Sequence, residues 1–271
     1  MTRGPLLITS LTNDRVKAIR ALDMRKERKE TGLFVAEGVS ILMTAREHGF
    51  EPATLVYQAN AEQTPAHRAL IEAALDQARD VLEVTEAVMG KLASKDNPQS
   101  LLGVFAQVWS SAPPTNTLKA DACWLALEDV RDPGNLGTII RTADAVGASG
   151  IILIGNCCDA YARETIRATM GSIFAVPLVR MSREEFLGWR AGWPGDVVGT
   201  HLTAKTDFRN AQLRGPTLLI MGSEGPGLSD SLTRSCTKLV KIPMAGNLDS
   251  LNLAVATALT LYQIRGTHLK L

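Results

Sequence analysis

The sequence predicts an α/β protein of two domains, the second built on a parallel sheet. From Ala122 onward, short apolar runs alternate with helical stretches, the pattern of strands joined by crossover helices. Before Trp109 the chain also reads as mixed α/β, but with its own uneven charge. Between the two lies Ser110-Ser111-Ala112-Pro113-Pro114-Thr115-Asn116-Thr117, small, polar and unable to continue a helix. The domains predicted are therefore 1–109 and 120–271, with 110–119 as linker.

In the first domain Asn13 or Asp14 caps a helix running to about Lys29, its apolar face made by Val16, Ile19, Ala21 and Leu22. A short strand follows at 33–35, a helix at 39–48, a strand at 54–57, a helix at 65–79 and a closing strand at 102–108. In the second domain the strands are at 123–127, 151–154, 176–179, 197–200, 218–221 and 239–242. Helices are predicted at 136–146, 162–170, 184–189, 229–235 and 251–264. Of the 14 residues in the last, ten are apolar, so it is a central core helix or one shared with a partner subunit.

Composition excludes several classes. Of 271 residues, 45% are hydrophobic and 21% charged, which is not the composition of a disordered chain. A net charge of +1 excludes a uniformly basic nucleic-acid coat. Charge is local instead: 15–29 holds seven basic residues and two acids, whereas 59–90 holds six acids and two arginines. Arg25, Lys26, Arg28 and Lys29 are candidate phosphate contacts, the alternative being a solvated helix face. Cys123, Cys157, Cys158 and Cys236 have no CxxC spacing, and His48, His67, His201 and His268 form no HxxxH pair, so no metal site is expected. The vicinal Cys157-Cys158 pair reads as packing. The stretch 251–262 is too short for a membrane span of ~20 residues, and 5–8 too short for a signal-peptide core. The expectation is a soluble, cytoplasmic protein.

Ligands of parallel sheets gather on the loops after the carboxyl ends of strands. Three such loops have unusual composition. The first turns at Asp132-Pro133-Gly134 and enters a helix with Asn135 at its start and Arg141 six residues on. The second, Gly222-Ser223-Glu224-Gly225-Pro226-Gly227, places a carboxylate among glycines that imply close backbone approach, to another strand or to a ligand. The third runs from Pro243 to Asn252 and supplies amide and hydroxyl groups. No GxGxxG fingerprint, P-loop or GxSxG elbow is present, which argues against a nicotinamide-dependent dehydrogenase, a P-loop nucleotide enzyme and an α/β-hydrolase.

Together the loops resemble the three motifs of the SpoU (TrmH) family of RNA ribose 2′-O-methyltransferases in the SPOUT superfamily. Asn135-Leu136-Gly137-Thr138-Ile139-Ile140-Arg141 matches the first motif, 222–227 the second, and 242–252 the third, Ile-Pro-Met-x-Gly-x-x-x-Ser-Leu-Asn. Ile8-Thr9-Ser10-Leu11-Thr12-Asn13, Val16-Lys17 and Phe34-Val35-Ala36-Glu37-Gly38 are similar to the start of the L30e-like RNA-binding domain often joined to it. The resemblance implies a SPOUT-type α/β domain with a deep trefoil knot, which sequence physics alone would not propose. It implies S-adenosylmethionine as donor, held at Gly222, Ile242 and Leu251 with Thr200, Met244 and Asn252 beside them.

The resemblance also implies that Arg141 acts on the ribose 2′-hydroxyl. General base and electrostatic stabiliser are both open, because a guanidinium normally keeps its proton. Asn135 orients the substrate, Glu224 orients an arginine or its phosphate partner, and Ser250 and Asn252 fix the knot loop. A homodimer through the last helix is implied too, with Val255, Leu259 and Tyr262 as trial outward positions. A separate RNA domain favours rRNA of the 23S type. A tRNA methyltransferase and a non-catalytic ribosome- or RNA-binding protein are the alternatives.

Overall fold

The computed structural model describes residues 4–61, 64–77, 79–93 and 98–269. The chain up to Gln107 joins Asp159–Phe174 in one compact unit, and Val108–Cys158 joins the chain from Ala175 onward in a second.

In the first unit the chain runs through β1 (Leu6–Ile8), α1 (Asp14–Ala21), α2 (Arg25–Thr31), β2 (Leu33–Glu37) and α3 (Val39–Glu47). It continues through β3 (Thr54–Gln58), α4 (Pro65–Asp76), β4 (Asp80–Val84), α5 (Glu86–Leu92) and β5 (Leu101–Ala106). The sheet order is β1-β4-β3-β5-β2, with β1, β4 and β3 parallel and β5 antiparallel to β3 and β2. Ala78 of the predicted 65–79 helix lies outside the described residues.

The single helix predicted to Lys29 is two. Arg28 Nη1 donates to the carbonyls of Leu22 (2.7 Å) and Asp23 (2.9 Å), acceptors that a continuing helix would give to its own amides. Its Nε bonds Asp159 Oδ2 at 2.9 Å. Arg28 is 5% exposed, so the phosphate-contact role expected of it is corrected: its charge is spent inside the unit. Arg25, Lys26 and Lys29 are exposed.

The segment 159–174, which the sequence places in the second domain, belongs to this first unit. Its Tyr161 and Phe174 rings pack on Phe34 at 4.7 and 6.0 Å, and Phe174 also meets Phe105 at 5.0 Å and Phe50 at 5.2 Å. Rings from distant positions make this cluster, so no local pattern announces it.

The second unit contains β6 (Cys123–Glu128), α6 (Pro133–Ala145) and β7 (Gly150–Ile154). In sequence α7 (Arg163–Thr169) comes next, as part of the first unit, and then β8 (Leu178–Met181), α8 (Arg183–Arg190), β9 (Val197–Thr200) and β10 (Thr206–Asp207). The chain ends with β11 (Thr217–Met221), α9 (Asp230–Ser235), β12 (Lys238–Lys241) and α10 (Leu253–Arg265). All pairs are parallel, in the order β10-β12-β9-β11-β6-β7-β8. Every residue of β6, β7 and β11 is buried, as expected of strands covered on both faces.

The order puts β12, β9, β11 and β6 side by side, so the ends of all four face one rim. The predicted strand 176–179 lies two residues later, at β8, and β10 was not predicted because two residues carry no period. Helix α10 packs on α6 and β11, and its Leu253, Ala254, Thr257, Thr260 and Leu261 are buried. No helix of the described residues is long and apolar enough to cross a membrane.

Candidate active site

A line of side-chain hydrogen bonds runs across three loops at the rim. It starts at α10, whose N-cap Asn252 accepts from the Ala254 and Val255 amides through Oδ1, at 2.9 and 3.3 Å. With Oδ1 so engaged, Nδ2 is left to donate, and it donates to Asn135 Oδ1 at 2.9 Å. Asn135 Nδ2 then donates to Glu224 Oε1 at 3.0 Å, and Glu224 Oε2 accepts from the Arg131 amide at 3.2 Å. The backbone donors at one end and the carboxylate at the other fix which end of each amide is oxygen. Asn252 and Glu224 come from the loops after β12 and β11, and Asn135 from the first turn of α6, which follows the loop after β6.

Asn135 is free for this role because another residue caps its helix. Asp132 is the N-cap of α6 and takes the Asn135 amide at 2.6 Å, with Pro133 at the first helical position. The side chain of Asn135 therefore projects sideways instead of folding back. Burial pulls the Glu224 carboxyl upward, but hydrogen bonds from Asn135 and from the amides of Glu224, Arg131 and Asp132 outweigh it and hold the carboxyl below its usual value. Among the described residues Glu224 accepts from Asn135 and a main-chain amide, and from no arginine side chain.

Beneath these loops, the sequence reading missed Glu128. At the end of β6 it is 2% exposed, accepting from Arg183 Nε at 2.9 Å and from the Ser229 amide at 2.8 Å. It ties β6 to the starts of α8 and α9. Only the coincidence of an acid with an otherwise apolar strand could have flagged it. Cys158 lies near the same loops: burial, then the Cys157, Glu224 and Asp132 charges, push its thiol up to about 12, so it is no nucleophile at neutral pH. Cys157 is buried packing, as expected.

The donor candidates gather where the sheet order brings strand ends together. Thr200 ends β9 and its hydroxyl lies 3.5 Å from Met221 Sδ on β11, Gly222 follows β11, and Ile242 follows β12. Of the glycines of 222–227, Gly222 makes a close approach, and it makes it to its own loop, while Gly225 and Gly227 serve backbone at positive φ. A Cβ on Gly222 would collide with the Gly227 carbonyl and the Leu228 nitrogen, and the loop closes through Gly227 N to Ser223 O at 3.1 Å.

The third loop is open. Among the described residues, 243–251 makes no hydrogen bond, so Ser250 does not fasten it as expected; Asn252 does. Met244 is half-buried and Leu251 exposed. Arg141 stands on the solvent face of α6 with Thr138, exposed and without an ion pair or hydrogen bond among the described residues, and it does not touch Asn135. No group of three His, Cys, Asp or Glu among the described residues could hold a metal ion.

Comparison with known proteins gives the family. The SpoU rRNA Methylase family model matches residues 122–262, and that of the MRM3-like substrate binding domain matches 13–103. The crystal structure of an AdoMet-bound rRNA methyltransferase from Sinorhizobium meliloti is 43% identical, with a TM-score of 0.88 over 97% of this chain and 98% of that one. The 23S rRNA (uridine(2479)-2′-O)-methyltransferase of Streptomyces viridochromogenes is 32% identical over 89% of this chain and 85% of its own. The 23S rRNA (guanosine(2553)-2′-O)-methyltransferase RlmP of Bacillus subtilis is 29% identical over 96% and 99%.

The hydrogen bonds on Glu224 have a pH signature. A carboxyl held low in the folded state contributes stability above its unfolded pKa of about 4.3, and that contribution is lost as pH falls through the folded value. Urea denaturation of wild type and Glu224→Gln from neutral pH downward should show a stability gap that narrows below about pH 4.5. A gap that stays constant into acid would contradict the assignment.

Proposed function

The chain belongs to the SpoU rRNA methylase family, a family of S-adenosylmethionine-dependent RNA ribose 2′-O-methyltransferases, and from that premise we propose that 23S-type rRNA is its substrate and the rim loops its active site. The observation that carries the site is the bonded line Asn252–Asn135–Glu224, because it joins all three loops into one surface. The names of the full-length relatives favour rRNA over tRNA.

S-adenosylmethionine supplies, when bound, a methyl group on a positively charged sulfur. The residues present fit such a donor. The unbonded backbone of 243–251 leaves amides and carbonyls free to hold its polar groups, beside Thr200, Gly222 and Ile242 at three adjacent strand ends. Met244, Leu251 and Asn252 border the same rim. The order β12-β9-β11-β6, in which the last strand returns beside β9, supports the family's trefoil-knotted course.

The chain's own task is to align a ribose hydroxyl and stabilise the charge that grows on its oxygen. We assign the second part to Arg141, on the match of its position to the family's first motif. Its guanidinium offers five donors, unclaimed among the described residues, to a phosphate and the developing oxyanion. Asn135 serves the first part. One Nδ2 proton goes to Glu224, and the other remains for the RNA. Ser250, whose hydroxyl is unbonded, is a second contact for RNA. In the first unit Arg25, Lys26 and Lys29 contact phosphates. Such an enzyme works in the cytoplasm, where rRNA is made accessible.

We assign a homodimer through α10. Val255, Leu259 and Tyr262 are 48%, 42% and 49% exposed, and Leu251 adds 36% one turn before them. They form an apolar stripe on the face that α6 and β11 do not cover.

Unmodified rRNA incubated with methyl-labelled donor should gain label on ribose, while tRNA gains none. Arg141→Ala should lower turnover by about 100-fold or more with donor affinity unchanged, and Arg141→Lys nearly as much, since a point charge cannot replace a planar fork. Label confined to tRNA contradicts the substrate; a fully active Arg141→Lys contradicts the role. Separately, Leu259→Arg should convert the dimer to monomer in light scattering and reduce transfer. A wild type that is monomeric at micromolar concentration with full transfer would sink the dimer.

A further inference from the structure

The first unit carries a cleft of about 690 Å³ that the methyl-transfer chemistry does not use, bordered by the end of β2, the start of α3, α4, the stretch before β5, and α7. The size suits a small ligand. Its walls include Val35, Ile41, Leu101 and Ile166, all buried and apolar. Its rim is polar and mixed in sign. Glu37 offers a carboxylate, Gln99 an amide that both donates and accepts, Ser40 an exposed hydroxyl, and Arg167 an exposed guanidinium.

Two details hold this shape. Glu37 is ion-paired with Arg163, which also pairs with Asp23, so one edge is anchored to α7 and to the chain before α2. Gly38, at φ +94°, lets the Gln99 amide lie against the start of α3: a Cβ there would come within 3.3 Å of Gln99 Oε1. At the mouth, Met170 is 48% exposed with φ +52°, a left-handed backbone rarely adopted by a long side chain.

The chemistry selects among ligands. A simple anion does not need apolar walls. A lipid chain does not need a rim of donors and acceptors. A nucleobase fits both halves: its faces are apolar, its edge alternates donors and acceptors, and its phosphate suits an exposed arginine. We propose that this cleft receives one unpaired RNA nucleotide, its base between the apolar walls and its phosphate at Arg167. The inference rests on the RNA substrate assigned above. It makes the first unit a reader of single-stranded nucleotides, beyond a phosphate contact at Arg25, Lys26 and Lys29.

The test uses the full-length protein and three probes: single-stranded homopolymer RNAs of about 12 nucleotides, a duplex of the same length, and free nucleoside 5′-monophosphates. Wild type should bind at least one single strand about 10-fold tighter than the duplex. Ser40→Trp, which fills the mouth, and Arg167→Glu should each erase that preference while duplex and donor affinities stay at the wild-type level. Both positions are exposed, so either variant carries the test alone. Equal binding of single strand and duplex, or a preference that survives both variants, overturns the proposal. Displacement of RNA by a monophosphate at equal concentration overturns RNA as the source in favour of a free nucleotide. Donor binding and transfer to rRNA, measured alongside on wild type, separate the failures. If they persist, only the cleft is lost; if they are absent, the methyltransferase reading falls with it.

Discussion

Asn135 sits between two partners that leave it one orientation. Asn252 can only donate to it, because the first amides of α10 occupy the Asn252 oxygen, and Glu224 can only accept from it while ionised. The direction of the line is thus set by a helix terminus at one end and a charge at the other. Three segments far apart in sequence are thereby joined in one register by side-chain hydrogen bonds. An acid in place of Asn135 would set two carboxylates against each other at the centre of the rim, and protonating Glu224 would weaken the charge-assisted bond it accepts.

Around that fixed line, rigidity and openness are divided between loops. The loop at 222–227 is closed on itself, with Gly222 against the Gly227–Leu228 peptide, and Leu228 packed into the core beneath. The loop after β6 is pinned from below by Glu128 and from its own turn by Asp132. The loop at 243–251 is the opposite: fastened only at its end by Asn252, it keeps its backbone groups available. Preorganised contacts for the reacting hydroxyl and unclaimed contacts for a donor then sit side by side, which positioning and electrostatic catalysis both require.

Much of this was legible in the sequence, unevenly. The second unit's strands announce themselves because they are buried on both faces and read as unbroken apolar runs, such as 151–154 and 218–221. The motifs single out Asn135, Glu224 and Asn252, which the structure joins by hydrogen bonds, and Arg141, which it leaves apart on α6. What bonds to what was not legible: Glu224, expected to orient an arginine or its phosphate partner, accepts from Asn135 and a main-chain amide, and Ser250, expected to fix its loop, makes no hydrogen bond among the described residues. In the first unit β1, β4 and α5 went unread. In β1 only Ile8 of three residues is buried, and in β4 Asp80 and Glu83 interrupt the apolar pattern. The break between α1 and α2 is invisible locally because its cause, the inward turn of Arg28, is completed by Asp159, distant in sequence.

The central claim is that the three loops act through one bonded line. A double-mutant cycle on Asn135→Ala and Asn252→Ala, read as kcat/KM for methyl transfer to rRNA, tests it most directly. If the line is one unit, the double variant is little worse than the poorer single one, with a coupling of about 0.5–3 kcal/mol. Losses that add to within about 0.5 kcal/mol would show two independent residues and contradict the account.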